Sequence, residues 1–403
     1  AHALLNIVGE RLDNVIWKYH RSNIKQDLIE SVTERLCDPM FGRAMDKAVS
    51  ELSGSIDFRE LLIFYRLSTS PESQTVHYRY YKGNECVANS IDRTDSELES
   101  LVDRHGMALL DDRGIALEFL QHSGESLRET FQFGMDDQNN LGSVYVTFDN
   151  APGNLERDLF RIFARSINQR LIDFYREWRT LAKFFAPEII HRLMSDPEYD
   201  EKYLAPREET AAILYADLTS FTRLCEENVG QPERISEFVD EWGHKVVQEI
   251  WNRGGTFDKM VGDCVIALFG PPFYDRESGE LVDSALQTAH NIQQMTTSMI
   301  DHPVVRDIED SDFPGLGVAI GVNLCEVTCG LYGPDDDFTA FGTGMNETAR
   351  LQSLAGFRET YVMKPVVDEF EDAPDDLTLK GPRQTQVKNV EAPLHYYQCE
   401  FDQ

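Results

Sequence analysis

The chain has 403 residues, a length that suits two domains of ordinary size. Its formal net charge of −32 argues against a nucleic acid or an anionic membrane surface as a partner. The sequence contains no apolar run of about 18 residues and no secretory signal, and its cysteines lie mostly inside apolar runs. These features predict a cytoplasmic protein with no membrane-spanning segment in this stretch of chain.

The first half begins with predicted helices and continues with predicted strands. Residues 1–52 are expected to be helical, because Leu5, Val8 and Leu12 recur at helical spacing. Strand-like segments follow in residues 53–165, namely LLIFYRL, VHYRYY and GSVYVTF. A leading helix, a meander of strands and a last strand that runs into a long helix resemble a GAF domain. The resemblance implies a sensor domain with a small-molecule ligand whose identity the sequence leaves open.

The helix that leaves this half starts near Asn154 and has apolar residues spaced alternately by four and three. That spacing is typical of a parallel dimeric coiled coil, so residues 166–206 are predicted to be a coiled-coil signalling helix and linker. The alternative is one amphipathic helix that packs on its own domain. The seam residues are Ile167, Leu171, Phe174, Trp178, Leu181 and Phe185.

Two aspartates in the second half stand at the ends of apolar strands. Asp217 follows the strand in LYADLTSFT, and Asp263 occupies the turn in GTFDKMVGDCVIALFG. A carboxylate beside buried backbone is costly unless a cation neutralises it. Two carboxylates directed at one place would form a divalent-metal site with oxygen ligands. Each aspartate alone would more ordinarily be a turn or helix-cap residue.

A third segment, FTAFGTGMNETARL, places Asn346 and Arg350 one helical turn apart on one face. Together, the three segments resemble the catalytic domain of class III nucleotidyl cyclases, over residues 207–403. The resemblance implies an α+β fold with a ferredoxin-like βαββαβ core. It also implies two divalent ions, Mg²⁺ or Mn²⁺, on Asp217 and Asp263. By the same resemblance, Asn346 orients the ribose and Arg350 meets the charge that develops on the α-phosphate.

Base recognition is assigned through the same resemblance. Lys259 matches one base-reading position, and as a pure donor it suits the N1 acceptor of adenine. Thr339 matches the second, where its hydroxyl can accept from the exocyclic amine, as in the threonine subgroup of adenylyl cyclases. Lys388 matches a triphosphate-binding position. The second lysine expected there is Val390, so Lys380 and Arg383 are alternative phosphate ligands.

The predicted function is therefore that of an adenylyl cyclase, which converts ATP to 3′,5′-cyclic AMP and pyrophosphate under the control of the GAF-like domain. The resemblance implies a homodimer whose active sites are shared between chains. One alternative is a catalytically silent nucleotide-binding module with a cyclase fold. A second, a diguanylate cyclase, is disfavoured because the sequence has no GGDEF-like tetrad.

Overall fold

The computed structural model describes residues 25–38, 40–66, 75–91, 93–111, 119–120, 127–134, 140–227, 232–306, 308, 313–370, 377–386 and 393–401. The chain divides into two compact units, one of Ala1–Thr180 with Met194–Pro197 and one of Leu181–Leu193 with Glu198–Gln403. No helix in the described ranges is long and apolar enough to cross a membrane. The predicted stripe at Leu5, Val8 and Leu12 and the predicted phosphate ligand Lys388 lie outside these ranges.

The first unit is built on a five-stranded antiparallel sheet with the order β3-β2-β1-β5-β4. Its strands are β1 (Glu60–Tyr65), β2 (His77–Lys82), β3 (Glu85–Asn89), β4 (Leu127–Gly134) and β5 (Asn140–Phe148). Its helices are α1 (Phe41–Ser55), α2 (Ser96–His105), α3 (Ala108–Asp111) and α4 (Asn154–Leu181), and residues 25–36 are also helical. The three segments predicted as strands are confirmed as β1, β2 and β5.

The long helix α4 starts at Asn154, as predicted, but its seam is already covered. Ile167, Leu171 and Phe174 are buried within the chain, and the Phe174 ring lies 5.5 Å from that of Phe41 in α1. A residue buried against its own domain cannot also line a dimer seam. The coiled-coil prediction is therefore wrong for these positions, and the amphipathic alternative holds. The helix belongs to the first unit as far as Thr180 instead of forming a separate linker.

The second unit contains an eight-stranded sheet, in which β12-β13-β11-β9-β6-β8-β7 are neighbours and β10 pairs with β9. Its strands are β6 (Arg207–Thr219), β7 (Thr256–Val261), β8 (Cys264–Phe269), β9 (Gly317–Tyr332), β10 (Asp337–Phe341), β11 (Thr360–Met363), β12 (Leu377–Thr385) and β13 (Leu394–Phe401). Its helices are α5 (Pro187–Leu193), α6 (Phe221–Glu227), α7 (Pro232–Asn252), α8 (Ser278–Ser298), α9 (Pro303–Arg306), α10 (Thr343–Leu354) and α11 (Lys364–Asp368), with a π-helical turn at Asp200–Leu204 and a 3₁₀ turn at Met299–Asp301.

The core of this unit confirms the ferredoxin-like prediction. The path β6-α7-β7-β8-α8-β9 is βαββαβ, and the central order β9-β6-β8-β7 is the one that this connectivity produces. Alternate residues of β6, such as Leu214 and Leu218, face a cluster that includes Phe238 and Trp242 of α7. Since side chains alternate along a strand, Asp217 lies on the opposite face of the sheet.

Candidate active site

Asp217 and Asp263 come together because β6 and β8 are neighbours. The β7–β8 hairpin turns at Gly262, whose φ of 64° is in the left-handed region that glycine tolerates. Asp263 follows in the turn, and its carbonyl accepts a hydrogen bond of 3.3 Å from the Leu218 amide. In the sheet register Asp217 is opposite Cys264, so the two aspartates are one register position apart. The predicted pairing of these carboxylates is consistent with this geometry.

The electrostatics of this pair indicate unmet negative charge. The pKa of Asp217 is raised to about 6, mainly by burial and also by the charge of Asp263, while a hydrogen bond with Gln352 opposes the rise. Burial also raises the pKa of Asp263. Within the described ranges neither carboxylate has a cationic partner, and no group of three or more His, Cys, Asp or Glu residues could hold a metal ion. Two oxygen ligands with nothing to neutralise them fit a hard divalent cation.

Removing one of these charges should stabilise the metal-free protein. We expect Asp217→Asn to raise its melting temperature by a few degrees, because it relieves the repulsion and desolvation that raise the pKa of Asp217. The same change should abolish the further rise in melting temperature that Mn²⁺ produces. Asp283→Asn, at an exposed aspartate of α8, is the control and should change neither value. An Mn²⁺-dependent rise that survives in Asp217→Asn would contradict the assignment.

The two predicted base-reading residues are in direct contact. Lys259 on β7 and Thr339 on β10 are 80 residues apart in sequence, yet the Lys259 Nζ donates a hydrogen bond of 2.9 Å to the Thr339 Oγ1. The contact arises because β10 pairs with the C-terminal part of β9 and lies against β7. Thr339 is 7% exposed, whereas the Lys259 side chain is 45% exposed. A donor and an acceptor are thereby presented side by side.

Helix α10 follows β10 directly and carries the predicted transition-state pair. Asn346 and Arg350 are exposed on its surface, and neither side chain has a hydrogen bond or ion pair to another described residue. The opposite side of the helix is anchored by Thr348 and Leu351, which are fully buried. Gln352, two residues beyond Arg350, contacts Asp217. The Arg350 guanidinium, which has no partner among the described residues, therefore lies on the same helix as Gln352, which contacts Asp217.

Two residues near the site, Gln352 and Asp258, were not predicted from the sequence. Gln352 was not predicted, and a glutamine on a helix gives no signal by itself. Asp258 was not predicted either. The sequence did contain an indication, because an aspartate inside the apolar strand TFDKMV implies a buried carboxylate, which is costly.

The two alternative phosphate ligands bind other side chains in the structure. Lys380 binds Glu400 at 2.5 Å, and Arg383 donates hydrogen bonds to Tyr361 and Gln398.

Comparison with known proteins identifies the family of the second unit. Residues 204–393 match the adenylate and guanylate cyclase catalytic domain. This segment is therefore a class III nucleotidyl cyclase catalytic domain, a family of lyases.

Individual relatives are distant. An uncharacterised Mycobacterium tuberculosis protein is 23% identical over 222 residues, which are 54% of this chain and 34% of that protein. An Anabaena cylindrica adenylate cyclase is 27% identical over 144 residues, 35% of this chain and 26% of the relative. The chain thus spans about a third or less of the length of these relatives. The adenylyl cyclase CyaB from P. aeruginosa is 21% identical with a TM-score of 0.45, over 50% of this chain and 98% of that structure.

Proposed function

We propose that the protein is an adenylyl cyclase that converts ATP to 3′,5′-cyclic AMP and pyrophosphate. The observation that carries the proposal is the hydrogen bond between Lys259 and Thr339. Adenine offers an acceptor at N1 beside a donor at N6, and a lysine donor next to a hydroxyl acceptor matches that pattern. Guanine offers the reverse pattern at both positions, so the pair favours ATP over GTP.

The chemistry joins the ribose O3′ to the α-phosphorus and breaks the bond from that phosphorus to the oxygen that bridges to the β-phosphate. The 3′-hydroxyl proton is released and pyrophosphate leaves. Two Mg²⁺ or Mn²⁺ ions held by Asp217 and Asp263 would supply activation of the hydroxyl and neutralisation of the triphosphate. Asn346 would orient the ribose by hydrogen bonding. Arg350 would stabilise the negative charge that builds up on the α-phosphate.

The proposed enzyme is a homodimer with shared sites. An apolar groove of about 650 Å³ along α7 and β7 of the second unit supports the homodimer. Its lining residues include Val239, Trp251 and Met260. Val261 on β7 and Phe341 on β10 are 60% and 53% exposed although both are large and apolar. Exposed apolar surface on the strands that carry the base-reading residues fits contact with a second copy of the chain.

Regulation by the first unit is also part of the proposal. Its antiparallel five-stranded sheet with flanking helices is compatible with a GAF-like sensor that takes a small-molecule ligand. Residues 184–185, just after α4, would couple the first unit to the site through their contacts with β7 and β10. The Phe184 carbonyl accepts hydrogen bonds from the Trp251 Nε1 and from the Phe257 amide on β7, and the Phe185 ring lies 5.0 Å from that of Phe338 on β10. This segment therefore contacts both strands that present the base-reading pair.

A matched pair of tryptophan variants tests this route. Trp251→Phe removes the indole donor to Phe184 and should raise the KM for ATP about two- to fivefold, because one hydrogen bond that positions β7 is lost. Trp242→Phe removes a comparable indole bond, to Thr296 in the core, and should lower stability without changing the KM. Steady-state kinetics and melting curves measure both effects. Equal KM values for the two variants would show that residues 184–185 do not position the base-reading strands.

The function itself is tested by incubating the protein with ATP or GTP and Mn²⁺ and separating the products by chromatography. We expect cyclic AMP from ATP, with a kcat/KM at least a hundredfold above that for GTP. Nucleotide binding without any cyclic product would instead support the silent regulatory module. Comparable values for ATP and GTP would contradict the assignment of Lys259 and Thr339 as base-reading residues.

A further inference from the structure

A buried carboxylate lies directly behind the base-reading pair. Asp258 precedes Lys259 on β7, and its side chain is completely buried. The β7–β8 register pairs Phe257 with Ala267 and Lys259 with Ile266, so Asp258 is the extra residue of a β-bulge. Bulges redirect side chains, and this one brings the Asp258 Oδ1 to 3.7 Å from the Lys259 Nζ.

The Asp258 carboxylate lacks the partners that a buried charge requires. Neither oxygen accepts a hydrogen bond from a residue that the structure describes. The Lys259 ammonium is too far for a hydrogen bond and donates to Thr339 instead. Tyr215 and Cys329 are also close enough to interact electrostatically with Asp258. Burial is the main cause that raises the pKa of Tyr215 to about 12 and that of Cys329 to about 11, so both side chains are neutral. A fully buried carboxylate with unused acceptor capacity is costly unless it has a role.

The nearby group that can use this capacity is the Thr339 hydroxyl. A threonine hydroxyl has one proton to donate and two lone pairs with which to accept. One lone pair of Thr339 is taken by Lys259. Burial raises the pKa of Asp258, whereas the Thr339 hydroxyl and the Lys259 ammonium lower it, so both groups interact favourably with the carboxylate. The Thr339 hydroxyl donates a hydrogen bond to the Asp258 carboxylate when it rotates toward that carboxylate.

We propose that Asp258 is a positioning residue that determines base specificity. Its carboxylate accepts a hydrogen bond from the Thr339 hydroxyl, so this hydroxyl presents only a lone pair to the purine. The inference rests on the proposed adenylyl cyclase function. When the Thr339 hydroxyl donates its hydrogen bond to Asp258, its oxygen can accept a hydrogen bond from the adenine N6 amine and repels a 6-oxo group. Without Asp258, the hydroxyl is free to turn and donate to a 6-oxo purine. The selectivity of Thr339 thus depends on a residue that does not itself touch the base.

The test uses ATP and inosine triphosphate, whose bases differ at position 6 and at the N1 proton. We expect Asp258→Asn to lower the ratio of kcat/KM for ATP to that for inosine triphosphate by about tenfold, because the amide can donate to Thr339 and release its hydroxyl. A residue with only a structural role would reduce both values together and leave the ratio unchanged. An unchanged ratio in a folded, active Asp258→Asn protein therefore overturns the proposal.

Two further variants isolate the effect. In a Thr339→Val background there is no hydroxyl to orient, so adding Asp258→Asn should leave the ratio at the value of Thr339→Val alone. Asp337→Asn, an exposed aspartate on β10 that pairs with Lys183 at 3.7 Å, removes a nearby charge and should not change the ratio. An additive effect in the Thr339→Val background would contradict the proposal.

Folding and the parent activity are checked separately. Asp258→Asn removes a buried charge whose two oxygens accept no hydrogen bond from a described residue, so it should not lower the melting temperature. If it does not fold, Asp258→Ser, which is smaller and uncharged, replaces it with the same expected ratio. Failure of both to fold would show a structural role and overturn the proposal. Absence of cyclic AMP from the wild-type protein would instead refute the proposed function.

Discussion

Two inactive variants of this protein should restore activity when they are expressed together. Asp263→Ala removes half of the carboxylate pair, and Arg350→Ala removes the uncommitted guanidinium on α10. Each variant alone should lose a factor of about 10³ or more in kcat, by analogy with the loss of an arginine finger. If one chain supplies the metal carboxylates and the other supplies Arg350, a mixed dimer has one site with both lesions and one intact site.

Random pairing makes about half of the dimers mixed, each with one good site of two, so about a quarter of wild-type activity should return. Two variants from the same group provide the matched control. Asp263→Ala combined with Asp217→Ala places one lesion in each site of the mixed dimer, so no activity should return. Differently tagged chains, purified in sequence, show that mixed dimers have formed. No recovery in verified Asp263→Ala/Arg350→Ala dimers would show that each site is built within one chain.

The second large effect is a change of base preference. Replacing Lys259 by glutamate and Thr339 by cysteine should reduce kcat/KM for ATP by about 10² or more, because the glutamate can no longer donate to N1. The same glutamate can accept from the N1–H and 2-amino groups of guanine, so cyclic GMP should become the main product. Product ratios from equimolar ATP and GTP measure the change.

The neighbourhood of Lys259 sets a condition on this experiment. A glutamate at position 259 would stand beside the buried carboxylate of Asp258, which is now 3.7 Å from the lysine ammonium. Two adjacent carboxylates of this kind repel each other, and one would be held in its protonated form. The Lys259→Glu/Thr339→Cys protein should therefore make mainly cyclic GMP when Asp258→Asn is added. Without Asp258→Asn it should be poorly folded or weakly active. Equal GTP activity with and without Asp258→Asn would contradict this placement of the carboxylate.

The sequence by itself determined the local features of the second unit. The apolar run before Asp217, the apolar strands on either side of Asp263 and a glycine able to adopt the positive φ of the hairpin specify where each carboxylate lies on its own element, although β6 continues past Asp217 to Thr219. The i, i+4 spacing of Asn346 and Arg350 likewise specifies one helical face. Such features are predictable because they depend on residues a few positions apart. The βαββαβ order was predicted from the family resemblance.

The tertiary structure alone decided which surfaces meet. Periodicity marks the seam of α4 as apolar, but it cannot say what covers it, and here Phe41 of the same unit lies against Phe174. The hydrogen bond from Lys259 to Thr339 spans 80 residues and depends on β10 lying against β7. The bulge that turns Asp258 toward this pair is a matter of strand register, which no single segment encodes. Contacts between distant segments depend on how apolar faces pack together in three dimensions, and this packing brings the two proposed base-reading residues, Lys259 and Thr339, into contact.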